Sequence, residues 1–120
     1  GILWNEFHKE VGKLMTSELL NLGLLDKADI QNEKPENPAY KKYFMHGTSH
    51  HLGLNTHDYG LLHLPVEKNM VFTVEPGIYI PEEDFGIRLE DDVVIQQSGA
   101  PINLMKNIPI EIEEIESSMN

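Results

Sequence analysis

Along the first part of the chain apolar residues recur at steps of three and four: Trp4, Phe7, Val11, Leu14, Met15, Leu19 and Leu22. On a helix these positions make one stripe, and Gly23 stands where helices commonly end in a left-handed residue. The pattern predicts a helix over about residues 3–22. Residues 26–42 are polar and contain "KPENP", which predicts a connecting loop with a short helical turn after Pro38. Two later runs, "MVFTVEPGIYI" and "FGIRLEDDVVIQQ", are rich in β-branched and aromatic residues and are separated by the turn-prone "PEED". They predict two antiparallel strands, and "PINLM" a third, short one. Pro109, at the first position of "PIEIEEIESSM", predicts a closing helix with Ile110, Ile112 and Ile115 as a narrow apolar edge. Helices at both ends and antiparallel strands between them give an α+β class, in a single domain over residues 1–120.

Composition narrows the chemistry. There is no cysteine, which excludes a disulfide framework, a thiolate zinc site and a cysteine nucleophile. Any metal would have to sit on nitrogen and oxygen. The formal net charge is −11, and residues 81–120 carry 10 acidic against 2 basic side chains. That balance argues against a nucleic-acid partner, which needs cationic patches. No apolar run approaches the roughly 18 residues of a membrane span, so no membrane partner is expected; the expected location is cytoplasmic. The opening "GILWNEF" has no methionine and already lies inside the amphipathic pattern, which suggests a piece of a longer protein.

The segment "HGTSHHLGLNTHD" holds four of the six histidines in thirteen residues. His46 and His50 stand four apart, as in the H-E-x-x-H zinc motif. Gly47 replaces the glutamate, however, and the glycines make a poor helix, so an irregular turn is expected. By itself the cluster does not choose between metal ligands and ordinary loop histidines. Glu75 in "VFTVEPG" and Glu90 in "GIRLEDD" add to it, because each puts a carboxylate into a strand that otherwise favours burial. Such a charge is costly unless paired or bound to a cation. Taken singly, Glu75 reads equally well as a strand end facing water and Glu90 as half of an ion pair. Taken with an imidazole, the two make an oxygen-rich set suited to Mn²⁺, Fe²⁺, Co²⁺ or Zn²⁺. Carboxylates can also bridge two ions roughly 3.5–4 Å apart, an arrangement used for hydrolysis.

In this order and spacing, "FMHGTSHHLGLNTHD", "VFTVEPGIYI" and "GIRLEDDVVI" resemble the aminopeptidase P (Xaa-Pro aminopeptidase) branch of the pita-bread metallopeptidases. The similarity runs over nearly the whole chain, including the helix ending "LLNLGLL" and the tail "IPIEIEEIE". It implies the C-terminal half of a pita-bread catalytic domain, with a curved antiparallel sheet and flanking helices. It also implies two divalent metal ions, Mn²⁺ foremost, and peptide substrates with proline in second position. In that family two aspartates, one histidine and two glutamates hold the ions. By motif position His50, Glu75 and Glu90 correspond to three of these, with Glu75 also handling the proton of the attacking water. His46 and His57 correspond to histidines that contact substrate, shuttle protons and steady the tetrahedral intermediate, and Arg88 to the arginine that supports the network.

This sequence departs from the family pattern in two ways. The paired aspartates have no counterpart, since Asp26 and Asp29 flank a loop. His51 and Asn55 stand where relatives carry an aromatic residue and an aspartate. His8, on the polar part of the first helix, and His63, in a loop, have no expected role. A prolidase-like dipeptidase and a non-catalytic peptide-binding module are the competing readings. Half a domain would leave an apolar face open, so self-association is expected.

Overall fold

The computed structural model describes all residues, Gly1–Asn120. Helix α1 spans Trp4–Asn21, close to the expected range. Leu3 is its extended N-cap, and the Glu6 carboxylate reaches back to accept from the Leu3 N–H. At the other end Leu22 is the C-cap and Gly23 turns the chain with φ +73°. A side chain would be strained in that conformation. After this turn Leu25 folds back beside Leu19, and with Tyr43 they form the most buried cluster, flanked by Ile78 and Ile80. The apolar stripe therefore serves two places. Leu19 anchors the C-terminal end of α1, while Trp4 at the other end stacks on Phe72, with ring centroids 4.9 Å apart. Leu14 and Leu22 remain exposed.

The connector holds an unforeseen helix, α2 (Lys27–Gln31). Asp26 accepts from the Asp29 N–H and Asp29 accepts from the Asp26 N–H, a reciprocal cap. The expected turn after Pro38 is a 3₁₀ turn, Ala39–Lys42.

The two expected strands form a hairpin, but each is broken in the middle. Strands β1 (Val71–Val74) and β2 (Gly77–Ile80) run up one side, β3 (Phe85–Arg88) and β4 (Asp91–Val94) down the other. Strand β2 pairs with β3, and β1 with β4, whose far edge takes up β5 (Ile102–Asn103). Both pairings share one register, Val74 facing Asp91 and Gly77 facing Arg88. Glu75 and Pro76 thus stand across from Glu90 and Leu89 in the gap. Pro76 has no N–H to give, and the Glu75 N–H goes to Thr48 O on the opposite side, at 2.7 Å.

That bond belongs to the histidine segment, which is irregular as expected: residues 48–52 lie as a short strip along β1, and residues 53–57 form a run of bends. The Thr73 N–H donates to His50 O at 3.0 Å, the Leu52 N–H to Val71 O at 3.1 Å, and His51 bridges to Phe72. It covers the edge of β1 that β4 leaves free. Helix α3 spans Ile112–Ser118 with Glu111 as N-cap, so Pro109 lies before the helix and not at its first position. Ile110, Ile112 and Ile115 are all exposed.

Only 9 of 120 residues are buried. The radius of gyration is 16.4 Å, where about 13–14 Å is usual for a chain of this length. The molecule is a plate of 46 × 42 × 26 Å with apolar surface on view. No helix is long and apolar enough to cross a membrane.

Candidate metal centre

The break in the hairpin is where the chemistry collects. Register places Glu75 and Glu90 opposite each other, and the strip along β1 delivers His50 to the same point. One ligand atom from each of the three lies within 4.8 Å of the other two. His50 Nε2 is 3.0 Å from Glu75 Oε1. The other ring nitrogen, Nδ1, is 2.9 Å from His51 O. A carbonyl oxygen only accepts, so Nδ1 carries the proton of this bond, and Nε2 is left to present a lone pair to a cation or an N–H to Glu75. His50 and Glu75 are partly buried and Glu90 is exposed.

Thr73 and Arg88 hold the carboxylates. The Thr73 hydroxyl donates to Glu75 Oε1 at 3.2 Å and accepts from the His50 N–H at 3.0 Å, tying ligand candidates from two segments to one residue. Arg88 Nη1 is 3.3 Å from Glu75 Oε2, and Nη2 is 3.9 Å from Glu90 Oε2. One guanidinium so spans both acids and offsets their repulsion.

The histidines separate by environment. The exposed His57 ring lies over His50, with centroids 4.1 Å apart. His46 Nε2 is 2.8 Å from the Tyr79 hydroxyl and Nδ1 is 2.7 Å from Gly47 O. By the same reasoning Nδ1 donates, and Nε2 accepts from Tyr79. His46 Nε2 also sits over Gly77, the residue paired with Arg88. His51 packs on Phe72 (4.4 Å between centroids) and on Trp4. His8 is half-buried beside Gly47 and not on a wet face of α1. Asp26 and Asp29 serve α2 as caps and stay outside the cluster.

Thr73, Tyr79 and Asp58 went unremarked in the sequence. For two of them alternation carried a signal: residues 73, 75, 77 and 79 share one face of a strand, and the hairpin break preserves that phase. Asp58 shows its place only in the folded loop, where it accepts from the Leu54 and Tyr59 N–H groups, each at 2.9 Å.

An imidazole nitrogen and two carboxylates converging beside an arginine are a donor set of the kind that holds hard or borderline divalent ions in hydrolytic proteins. The residues present fit such ions, because the donors converge and the His50 tautomer is fixed from behind. The chain belongs to metallopeptidase family M24, whose model matches residues 1–97. It is similar to the Xaa-Pro aminopeptidase of Escherichia coli (strain K12), at 43% identity over 122 residues, covering 92% of this chain and 27% of that protein. Among solved structures it resembles the aminopeptidase PepP of Pseudomonas aeruginosa, with a TM-score of 0.77, 36% identity and coverage of 97% of this chain and 29% of that one. An Xaa-Pro dipeptidase from Bacillus anthracis matches 58% of this chain and 20% of its own, at 39% identity and a TM-score of 0.51. The fold is thus the pita-bread fold expected from the motifs. The chain spans about a quarter of the length of the relatives it matches.

Proposed function

We propose that this chain is part of the catalytic domain, the C-terminal half, of a metal-dependent aminopeptidase that hydrolyses the bond between an N-terminal residue and a following proline. The observation that carries this reading is the convergence of His50, Glu75 and Glu90 within 4.8 Å, on a chain whose extended relatives are aminopeptidases. His50, Glu75 and Glu90 would hold two divalent ions, Mn²⁺ being our choice, together with two aspartates supplied from elsewhere in the protein. Ions held there would supply Lewis acidity, allowing water to lose a proton near neutral pH.

The chain's own groups divide the remaining work. Glu75, fixed by the Thr73 hydroxyl on one oxygen and Arg88 on the other, accepts a proton from the attacking water. As the carbon–nitrogen bond breaks, the proline nitrogen becomes a secondary amine and needs that proton back. His57, exposed beside His50, would donate to the developing oxyanion. His46, held by Tyr79, contacts the substrate and relays protons. Proline preference follows from a substrate amide nitrogen that carries no hydrogen.

The partial match to a dipeptidase makes that reaction the weaker reading, and converging carboxylates are a costly feature for a purely binding module to keep. The test is the full-length protein on an Ala-Pro tripeptide and an Ala-Pro dipeptide. Chelator-sensitive release of alanine from the tripeptide, restored by Mn²⁺, is the expected result. Cleavage of the dipeptide alone would transfer the protein to the dipeptidase class, and no cleavage of either would leave the binding module in front.

A further inference from the structure

His57 raises a physical problem. It is an exposed histidine in a loop without regular secondary structure, yet its ring lies tilted by 35° over His50 at a centroid distance of 4.1 Å. A side chain so placed costs conformational entropy to order, so the backbone beneath it must be held. The residue next to it does the holding. Asp58 Oδ2 accepts from the Leu54 N–H at 2.9 Å, and Oδ1 accepts from the Tyr59 N–H at 2.9 Å and from the Asn55 amide at 3.4 Å. Its own N–H donates to His51 O at 3.0 Å, closing the loop onto the strip that carries His50. Together these bonds wind residues 53–59 around one carboxylate.

Two features of the sequence fit that carboxylate. At Gly53 a Cβ would come 2.0 Å from Asp58 Oδ2, so the acid fills space that only glycine leaves. At position 55 the asparagine amide donates to Asp58, where a second carboxylate would be repelled. Asp58 is correspondingly held below the usual carboxylate range, first by the Tyr59 N–H; burial opposes this in second place, and the Asn55 amide and the Leu54 N–H add to the lowering. It stays an anion, an acceptor at both oxygens, throughout the neutral range.

We propose that Asp58 is a positioning residue for His57: its carboxylate winds the Gly53–Tyr59 loop so that the His57 imidazole stands over His50 at the metal centre. The proposal rests on the functional reading above for the use made of His57, and on geometry alone for its placement. It predicts coupling. Replacing Asp58 by asparagine keeps the size of the side chain but turns one acceptor into a donor facing the Leu54 or Tyr59 N–H, and this should release His57.

The experiment has two arms, both on the full-length protein. In the first, ¹³Cε1-histidine NMR of the zinc-loaded protein locates the His50 and His57 imidazole signals, which ring currents displace from their ordinary positions when the rings are close. Asp58→Asn should return the His57 signal to the ordinary position, with the melting temperature and bound zinc unchanged. In the second, kcat/KM on an Ala-Pro tripeptide should fall about tenfold for Asp58→Asn when His57 is present and less than twofold in a His57→Ala background, as expected for two residues acting as a unit. Asn55→Ala, which removes one donor and leaves the loop's backbone bonds, should shift the His57 signal the same way by less, and decides the matter if Asp58→Asn does not fold. An unmoved His57 signal, or equal losses in both backgrounds, overturns the proposal. A protein with no peptidase activity at all would sink the functional reading while the NMR arm still decides the role of Asp58.

Discussion

Glu75 and Glu90 face each other in a single antiparallel register, at the gap between the two strand pairs. Like charges directly across strands repel. The arrangement persists because Arg88 reaches both acids and His50 Nε2 stands 3.0 Å from Glu75. Arg88 stands across from Gly77, two residues from each acid in the two facing strands. A site of this kind is held together by opposite charge, and adding cations strengthens it.

Glu75 is expected to be the least replaceable residue of the centre. Glu75→Gln in the full-length protein should lower kcat by about 10²–10⁴-fold, the usual contribution of a positioned acid–base group. Divalent metal bound per chain, measured by atomic emission, should fall as well. Activity within a few-fold of the parent would contradict both roles.

The 120-residue chain by itself should show no peptidase activity. Its candidate metal donors form one three-residue group, His50, Glu75 and Glu90, and a site short of ligands binds its ions weakly. Incubation with excess Mn²⁺ and an Ala-Pro peptide should release no amino acid above background, and clear chelator-sensitive turnover would disprove the claim.

Tyr79→Phe removes the hydroxyl 2.8 Å from His46 Nε2 and little else. A neutral hydrogen bond contributes about 0.5–1.5 kcal/mol, so kcat/KM should fall by roughly two- to tenfold, with metal content unchanged. A loss equal to that of His46→Ala would mean that Tyr79 contacts the substrate directly.

The Asp58 loop should be sensitive to acid in a particular window. Because the folded carboxyl is held below its ordinary value, its contribution is complete above the unfolded aspartate value of about 3.9 and is lost as the pH falls through the lower folded value. Exchange protection of the Leu54 and Tyr59 amides, followed by NMR, should survive to below pH ~4 and then disappear. Loss of protection already at pH ~5, well above the ordinary aspartate range, would show that the carboxylate does not hold the loop.

Self-association of the isolated chain is the remaining expectation. Leu14, Leu22, Ile87 and Ile112 are more than half exposed, and Ile2, Trp4, Phe7, Phe72, Val74 and Val93 line an open apolar pocket of about 260 Å³. Exposed apolar surface of this extent favours burial against a partner, while the net charge of −11 limits growth. Light scattering at micromolar concentration should show dimers or small oligomers, and a strictly monomeric chain would count against the half-domain reading.

Local chemistry wrote much of this molecule into its sequence. The spacing of Trp4, Phe7, Val11 and Leu19, with Gly23 behind them, determined α1 and its end, because helix periodicity and the left-handed turn are short-range properties. The hairpin was legible for the same reason, through β-branched runs on either side of "PEED". The motifs around His50, Glu75 and Glu90 named the candidate ligands, although composition alone left each of them an ordinary reading. Helix α2 was missed because a capping box of Asp26 and Asp29 is faint inside a polar stretch, and α3 began later than Pro109 suggested because no packing partner fixes its start.

Tertiary structure decided what no local pattern contains. The shared register of two short strand pairs set Glu75 opposite Glu90, and the pairing of the histidine strip with β1 brought His50 to them from more than twenty residues away. Both depend on hydrogen bonds between distant backbone segments. The environments of the histidines were set in the same way: His51 between Trp4 and Phe72, His46 on Tyr79, and His57 over His50. The sequence determined which groups were available, since identity and short-range propensity belong to the residues themselves. Their convergence on one point depended on long-range pairing, whose loop-closure cost is repaid only when the whole sheet forms.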